Sequence, residues 1–348
     1  MELRRMVKPL AVAFAALFFL LPALACADEA TSVLHAAILA PRYLSYIGQI
    51  ESVRFSETGS NATIERIEHR APGLTRRSFL APKNLFGDYH LTSGDTTYAV
   101  DVKHASVTIT HEPAVGEDPI PDATLALVLA NYHAILGQNQ VIAGRPTRSV
   151  TLLNRYSGER TLRIWIDQHT HLILKREAYD PDGSIVSLML FEALRYTDEI
   201  PLELFTMEIP EGFHSVDGIN VTAPTVDIRH VEEQCGFSSE SPSYLPQGFR
   251  LVGASLDGNT ALHTLHLFYS DGLRDLSLFE TSGSAPDFAQ LPSRPAQVSG
   301  RPATYAEEGS TALLSWRAGK LHHILVGNLT QNELTEIAQS VGSKKDAP

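Results

Sequence analysis

Fourteen histidines give this chain its most visible opportunity for chemistry. His169 and His171 stand two residues apart, which places them on one face if the segment is a strand. His263 and His266 are close in sequence, and His322 and His323 are adjacent. A zinc site needs three or four converging ligands, and neither an HExxH helix nor a cysteine pair accompanies them. The chain has only Cys26 and Cys235. Adjacent strand residues point to opposite faces, which separates His322 from His323 and, by the same alternation, His263 from His266. The histidines read as structural or surface residues, with His169 and His171 left as a pH-sensing pair. No metal and no cofactor is expected.

Nucleophilic and acid–base chemistry finds no better footing. The nearest approach to a nucleophile elbow, Gly253-Ala254-Ser255-Leu256-Asp257, lacks the closing glycine and sits in a strand pattern rather than between a strand and a helix. Asp180 and Asp182 resemble a paired-carboxylate site, but Asp180-Pro181-Asp182-Gly183 is a turn: proline presets φ and glycine tolerates φ > 0. There is no P-loop and no dinucleotide fingerprint. The chain is expected not to be an enzyme.

What remains is a framework for binding. Residues 28–40 gather Val33, Leu34, Ala37 and Ile38 on one helical side before Pro41, and short alternating strands follow from 43 to 110. Asp122 opens a helix expected to run to Leu136, apolar nearly all round and closed by Gly137, so it must be largely buried against a sheet. Beyond it, residues 160–166 put Leu162, Ile164 and Ile166 on one face and Thr161, Arg163 and Trp165 on the other. Strands at 172–179 and 185–196 flank the Asp180–Gly183 turn. The return strand is apolar on both faces through Val186, Leu188 and Leu190, as expected of a ligand-contacting wall or of a strand sandwiched in an ordinary core. Residues 222–243 read as a polar linker, 249–326 as a second strand system, 331–341 as a terminal helix and 343–348 as a frayed tail.

The first residues carry a different message. Arg4, Arg5 and Lys8 precede an apolar stretch from 9 to 24, and Ala25-Cys26-Ala27 precedes Asp28, the pattern of a cleaved secretory signal over residues 1–27. Two alternatives are an uncleaved anchor and a lipoprotein attached through Cys26, although Ala23 and Leu24 fit a lipidation signal poorly. Cleavage removes three basic side chains and Glu2, taking the net charge from −12 to about −14. That balance argues against nucleic acid and against anionic lipid heads as electrostatic partners. Cys235 alone would then remain, so no intrachain disulfide is expected.

The ordered pattern resembles one family. Val141-Ile142-Ala143-Gly144-Arg145-Pro146, Leu162-Arg163-Ile164-Trp165-Ile166-Asp167 and Phe191-Glu192-Ala193-Leu194 are followed by Tyr244-Leu245-Pro246-Gln247-Gly248-Phe249. Tyr269-Ser270-Asp271-Gly272-Leu273 and Leu276-Ser277-Leu278-Phe279 complete the series. Together, over residues 141–342, they are similar to the RseB/MucB family of periplasmic regulators of envelope-stress sigma factors. Each motif alone is strand and turn grammar; the order makes the set specific. Gln168-His169-Thr170-His171 departs from the Thr-Gly and Leu-Pro more usual in the family, and no residue that grips a partner is carried over.

The resemblance implies an α+β fold of two domains. Residues 28–221 would form a LolA/LolB-like half-open antiparallel β-barrel closed by helices, and 244–342 a smaller antiparallel sheet domain with a terminal helix. It implies binding to the periplasmic domain of an anti-sigma factor, protection of that factor from proteolysis, and release by envelope lipid or lipopolysaccharide. The alternative is a periplasmic lipid or lipoprotein carrier. In both, the expected cavity wall is Leu162, Ile164, Ile166, Leu172, Leu174, Val186, Leu188 and Leu190, where each buried methylene of an acyl chain contributes roughly 0.8 kcal/mol.

Overall fold

The structure is a computed structural model, and it describes residues 29–56, 59–111, 120–217, 227–257, 264–283, 293–308 and 311–342. The expected signal peptide with Cys26, residues 112–119, the start of the expected linker, His263 and the tail from 343 lie outside the described residues.

Two sheets organise the fold. Helix α1 (29–39) is followed by strands β1 (Tyr46–Ser56), β2 (Gly59–Arg70), β3 (Leu74–Ala81), β4 (Tyr89–Ser93), β5 (Thr96–Asp101) and β6 (Ser106–His111). Helix α2 (Ile120–Asn131) leads into β7 (Tyr132–Ile142), β8 (Arg145–Asn154), β9 (Arg160–Asp167), β10 (Ile173–Tyr179) and β11 (Ile185–Tyr196); β12 (His214–Asp217) closes the series. These make one twelve-stranded sheet in the order β12-β6-β5-β4-β3-β2-β1-β11-β10-β9-β8-β7, antiparallel except where β12 runs parallel to β6. Among the described residues it does not close on itself, and β7 and β12 are its edges. The architecture is α+β with an open first sheet.

Helix α2 corrects one expectation. It ends at Asn131, and Tyr132 begins β7 with no intervening loop. Tyr132, Ala134 and Leu136 turn inward while His133 and Ile135 face out, a two-residue period that the all-round apolar composition of 125–136 concealed. Pairing with β8 then decides the outcome. Gly137 is not a helix cap but part of a β-bulge between Leu136 and Asn139. A Cβ there would stand 2.3 Å from Ser149 Oγ, so any other residue would have to displace that hydroxyl.

The second sheet has the order β13-β14-β15-β19-β18-β17-β16, all antiparallel: β13 (Arg250–Asp257), β14 (Thr264–Ser270), β15 (Asp275–Thr281), β16 (Ser293–Val298), β17 (Arg301–Glu308), β18 (Thr311–Ala318) and β19 (Leu321–Gly327). Its core gathers Leu265, Leu267, Leu276, Leu278, Leu314 and Leu325, each fully buried, under helix α4 (Gln331–Ser340). Thr330 and Glu333 close α4 with a reciprocal capping box. Part of the expected linker is also helical. In α3 (Ile228–Cys235), Val231 and Cys235 are buried in the second core and Ile228 packs against it, and Gly236 at φ 73° ends the helix. The spacing of those residues is a helical stripe, diluted in the sequence by charged neighbours.

Candidate partner-binding surfaces

Cross-strand register assigns each side chain of β7 to β11 to a face, because directly opposed residues share one. One face carries the rows Leu136–Val150–Ile164–Arg176–Met189 and Ala134–Leu152–Leu162–Ala178. The other carries Ile135–Thr151–Arg163–Glu177–Leu188 and Ser149–Trp165–Lys175–Leu190. The helices cover the first. Leu34 and Ala37 of α1 and Leu125 and Val128 of α2 form one buried cluster with Val150, Leu152, Leu162, Ile164 and Ile166.

The expected cavity residues are therefore divided. Leu162, Ile164 and Ile166 lie beneath the helices and are packed by them. Leu172 and Leu174 are buried in a neighbouring cluster with Tyr46, Ile50, Ile67, Ile142, Trp165 and Phe191, against which Leu190 packs. Val186 and Leu188 are half-buried, and Leu188 stands opposite Glu177 on the face that Leu162 and Ile164 do not share. One wall on one side of the sheet does not contain them all.

On the face of β9 and β10 away from the helices, long side chains pack over buried aromatic rings. Arg163 and Lys175 lie over the Trp165 ring at 4.7 and 4.3 Å, and Arg160 over Tyr179 at 3.9 Å. Lys175 Nζ is 2.8 Å from Glu177, which also accepts from the Tyr179 hydroxyl. Burial works against the Glu177 charge, but the donors Lys175 and Tyr179 prevail and hold its carboxyl below the usual range.

The turn after β9 corrects the reading of His169 and His171 as strand neighbours. Both stand in the turn, and His171 takes a left-handed φ of 63°. The centre of this turn is Asp167, fully buried: its carboxylate receives Arg145, the backbone N–H of His169 at 2.8 Å and that of Thr170 at 3.3 Å. Burial opposes its charge, and these donors outweigh burial, keeping Asp167 below the ordinary aspartate range. The Asp180–Gly183 segment is the expected turn, with Ser184 N–H donating to Asp180 and Asp182 carboxylates at 3.0 and 2.7 Å. Ser255 lies in β13 and reaches His266 Nδ1 at 3.5 Å, while His266 Nε2 bonds Ser277 at 2.9 Å. The imidazole is thus shared between two hydroxyls. Among the described residues, no three His, Cys, Asp or Glu side chains are arranged to hold a metal ion.

Two open grooves flank the β7–β8 end of the first sheet. Each has a volume of about 540 Å³. One lies between α1 and the β7 bulge, lined by Gly137, Gln138, Asn139, Arg148, Asp167 and His171; the other is bounded by Ile135, Leu153, Arg160 and the Asp180–Gly183 turn.

A joint between the sheets was not foreseen from sequence. Asn131 Nδ2 donates to Asp271 O at 2.9 Å and to Gly248 O at 3.1 Å, and Tyr156 Oη donates to Asn131 Oδ1 at 3.1 Å. Tyr132 Oη donates to Asp271 Oδ2 at 2.7 Å, and Arg274 bridges Asp271 at 3.0 Å and Glu333 at 3.2 Å. Burial first, then the Asp271 charge, push the Tyr132 phenol far above its ordinary range, so it remains a donor. Gly272, at φ 100°, lies so near α2 that a Cβ would stand 2.8 Å from Val128 N, and Leu273 packs on the α1–α2 cluster.

Comparison with known proteins bears on the strands just described. Residues 91–209 match the MucB/RseB N-terminal domain family. That match covers about a third of the chain. The likeness of the chain to solved structures extends through the second sheet as well. MucB in complex with MucA(peri) is 18% identical with a TM-score of 0.59, and the Pseudomonas aeruginosa MucA/MucB complex is 17% identical with a TM-score of 0.58. Each comparison covers 90% of this chain and 98% of the other. At this identity the likeness establishes a shared fold. No curated protein sequence matches the chain. The matched residues run from within β4 through β11 and include α2, most of the lining of the two grooves and the first-sheet side of the joint.

Proposed function

We propose that this chain is a non-enzymatic periplasmic regulator that binds the periplasmic part of a membrane-spanning anti-sigma factor and limits its proteolysis. The observation that carries this reading is the fold shared over both sheets with MucB in its complexes with MucA, together with the MucB/RseB match over residues 91–209. The functional division follows the sequence: residues 28–221 form a lipid- and partner-binding unit, and 244–342 form a second unit joined through the Asp271 turn. An export signal over 1–27 delivers the chain to the periplasm.

Envelope lipid acts as the releasing signal in this reading. Leu162, Ile164 and Ile166 are packed by α1 and α2, so an acyl chain gains access to them by lifting a helix. Because α2 ends in the joint, lipid that prefers the lifted arrangement shifts the relative placement of the sheets.

The test is recovery of the chain from the envelope, with mass spectrometry of the proteins and lipids that accompany it. A single-span membrane protein whose purified periplasmic fragment then binds the purified chain supports the regulator. Acyl lipid without such a protein transfers support to a carrier, and neither one overturns both.

A further inference from the structure

On the helix-covered face of the first sheet the cover stops part-way, and two rows of opposed residues run out from beneath it. One row is Ile164–Arg176–Met189–Ser52 and the next is Leu162–Ala178–Ser187–Arg54, carried by β9, β10, β11 and β1. Both begin on side chains buried by α1 and α2. At β11, Ser187 and Met189 are only half-buried, and Arg176 and Arg54 are exposed. Each row passes from apolar core to accessible polar surface within four strands.

The two arginines differ from their neighbours in having nothing to hold. Arg66 is paired with Glu68, Arg77 with Glu65, Arg145 with Asp167 and Arg148 with Glu29. Among the described residues, the Arg176 and Arg54 side chains make no hydrogen bond, ion pair or ring contact, and neither do the hydroxyls of Ser187 and Ser52. Loss of solvation among the surrounding atoms lowers the Arg176 pKa below the ordinary arginine value, with no carboxylate to offset it. A guanidinium that is accessible and yet poorly solvated stands in a hollow rather than on a flat surface.

The described carboxylates nearby are turned away or occupied. Glu51 and Glu177 lie on the opposite face, opposed to Leu190 and Leu188. Glu65 shares the face on β2, where it is buried and held by Arg77 at 2.7 Å. Asp180 and Asp182 hold the Ser184 N–H within their turn.

Ser187 is the point on which the two cations converge. It stands directly opposite Arg54 and diagonally beside Arg176, and its opposite neighbour on β10 is the small Ala178. Opposed and diagonal positions on one face lie within reach of long side chains, so both guanidiniums can turn to one oxyanion over Ser187. Each presents paired N–H donors that match two oxygens of a phosphate or carboxylate. From there Met189, then Ile164 and Leu162, continue the surface in apolar form.

We propose that Arg54, Arg176 and Ser187 hold the oxyanion head of an amphiphile whose acyl chain runs over Met189 toward the floor beneath α1 and α2. This rests on the proposed role of envelope lipid and names the part of the lipid that is read, a phosphate or carboxylate head. The net charge of −12 disfavours an anionic bilayer surface, but a single molecule meets the local pair of cations.

Calorimetric titration of the full exported chain with dodecyl phosphate, dodecyl maltoside and inorganic phosphate tests the site, with the amphiphiles kept below the concentration at which they form micelles. The wild type is expected to bind dodecyl phosphate about tenfold more tightly than either of the others, the worth of one hydrogen bond to a charged group. Arg176→Gln and Arg54→Gln each lose most of that preference, whereas Arg195→Gln, at the far end of β11, keeps it. In the wild type, nuclear Overhauser contacts join the O–CH2 protons of dodecyl phosphate to the Met189 methyl group, a readout that needs no variant. Equal binding of the two amphiphiles overturns the head site and leaves the lipid reading standing. So does a preference untouched by both glutamine variants, or the absence of contact to Met189. Inorganic phosphate bound as tightly as dodecyl phosphate makes this a site for a free anion and overturns the amphiphile. Binding of neither amphiphile overturns the head site and the proposed lipid signal together, while titration with the anti-sigma fragment decides the regulator separately.

Discussion

Tyr132, the first residue of β7, and Asp271, in the turn between β14 and β15, are both buried and joined by a 2.7 Å hydrogen bond from phenol to carboxylate. This contact links the two sheets across 139 residues of sequence. Removing the phenol with Tyr132→Phe leaves Asp271 with Arg274 and the N–H groups of Leu273 and Arg274. The expected cost is about 1.5–3 kcal/mol, the worth of a hydrogen bond to a charged group. Gly272→Ala should cost more, since its Cβ meets the α2 backbone and its φ is left-handed. Urea unfolding followed separately in each sheet checks both: the two transitions are expected to coincide in the wild type and to separate in the variants.

The two faces of the first sheet should respond differently to truncation. Ile164→Ala opens a cavity under the helices, at about 2–5 kcal/mol. Leu188→Ala, half-exposed on the other face, should cost about 1 kcal/mol. Equal losses in denaturant midpoint would mean that the face assignment is wrong.

The bulge of β7 offers a rescue experiment. Gly137→Ala drives a methyl group into Ser149 Oγ and displaces its bond to Gln138 O, with an expected loss of about 1–3 kcal/mol. Adding Ser149→Ala clears the oxygen, so the double variant should be more stable than Gly137→Ala alone. Thermal unfolding of the three variants decides it.

Acid sensitivity should involve His69. Its Nε2–H donates to Pro41 O at 2.7 Å and its Nδ1 lies 2.8 Å from Thr75 Oγ1, which donates to the neutral ring and would have to turn into an acceptor for the charged one. Burial lowers its pKa below 6.5, only partly offset by the Pro41 carbonyl. A depressed histidine contributes stability that is present above the unfolded value and lost as pH falls through the folded one. Stability should therefore decline as the solution is taken below about pH 6.5. His69→Gln should flatten that limb, and an NMR titration in which His69 ionises at or above 6.5 would refute the argument.

Much of the fold was legible because strand alternation and turn chemistry are local. The split of Leu162, Ile164 and Ile166 from Arg163 and Trp165, the Asp180–Gly183 turn and the terminal helix all follow from neighbouring residues. The helix through Leu136 did not hold. Within 125–136 an apolar stripe of either period can be drawn, and pairing with β8 chose the strand. The candidate wall was legible only as a set of apolar positions. Which residues share a face depends on bulges at Ala178–Tyr179 and between Ile173 and Lys175, which shift register and leave no composition signal. The Asn131–Asp271 joint was hidden for a similar reason: its partners are polar, distant in sequence and individually ordinary.

The direct passage from α2 to β7 has a mechanical consequence. Asn131 is the last helical residue and Tyr132 the first of the strand, and both side chains are bonded to the Asp271 turn. There is no slack between them. A rotation of the helix cannot be absorbed by a loop and must be transmitted within one peptide unit to the edge strand and to the second sheet. At that point the two halves of the molecule share a fulcrum, and whatever seats on one arm is weighed by the other.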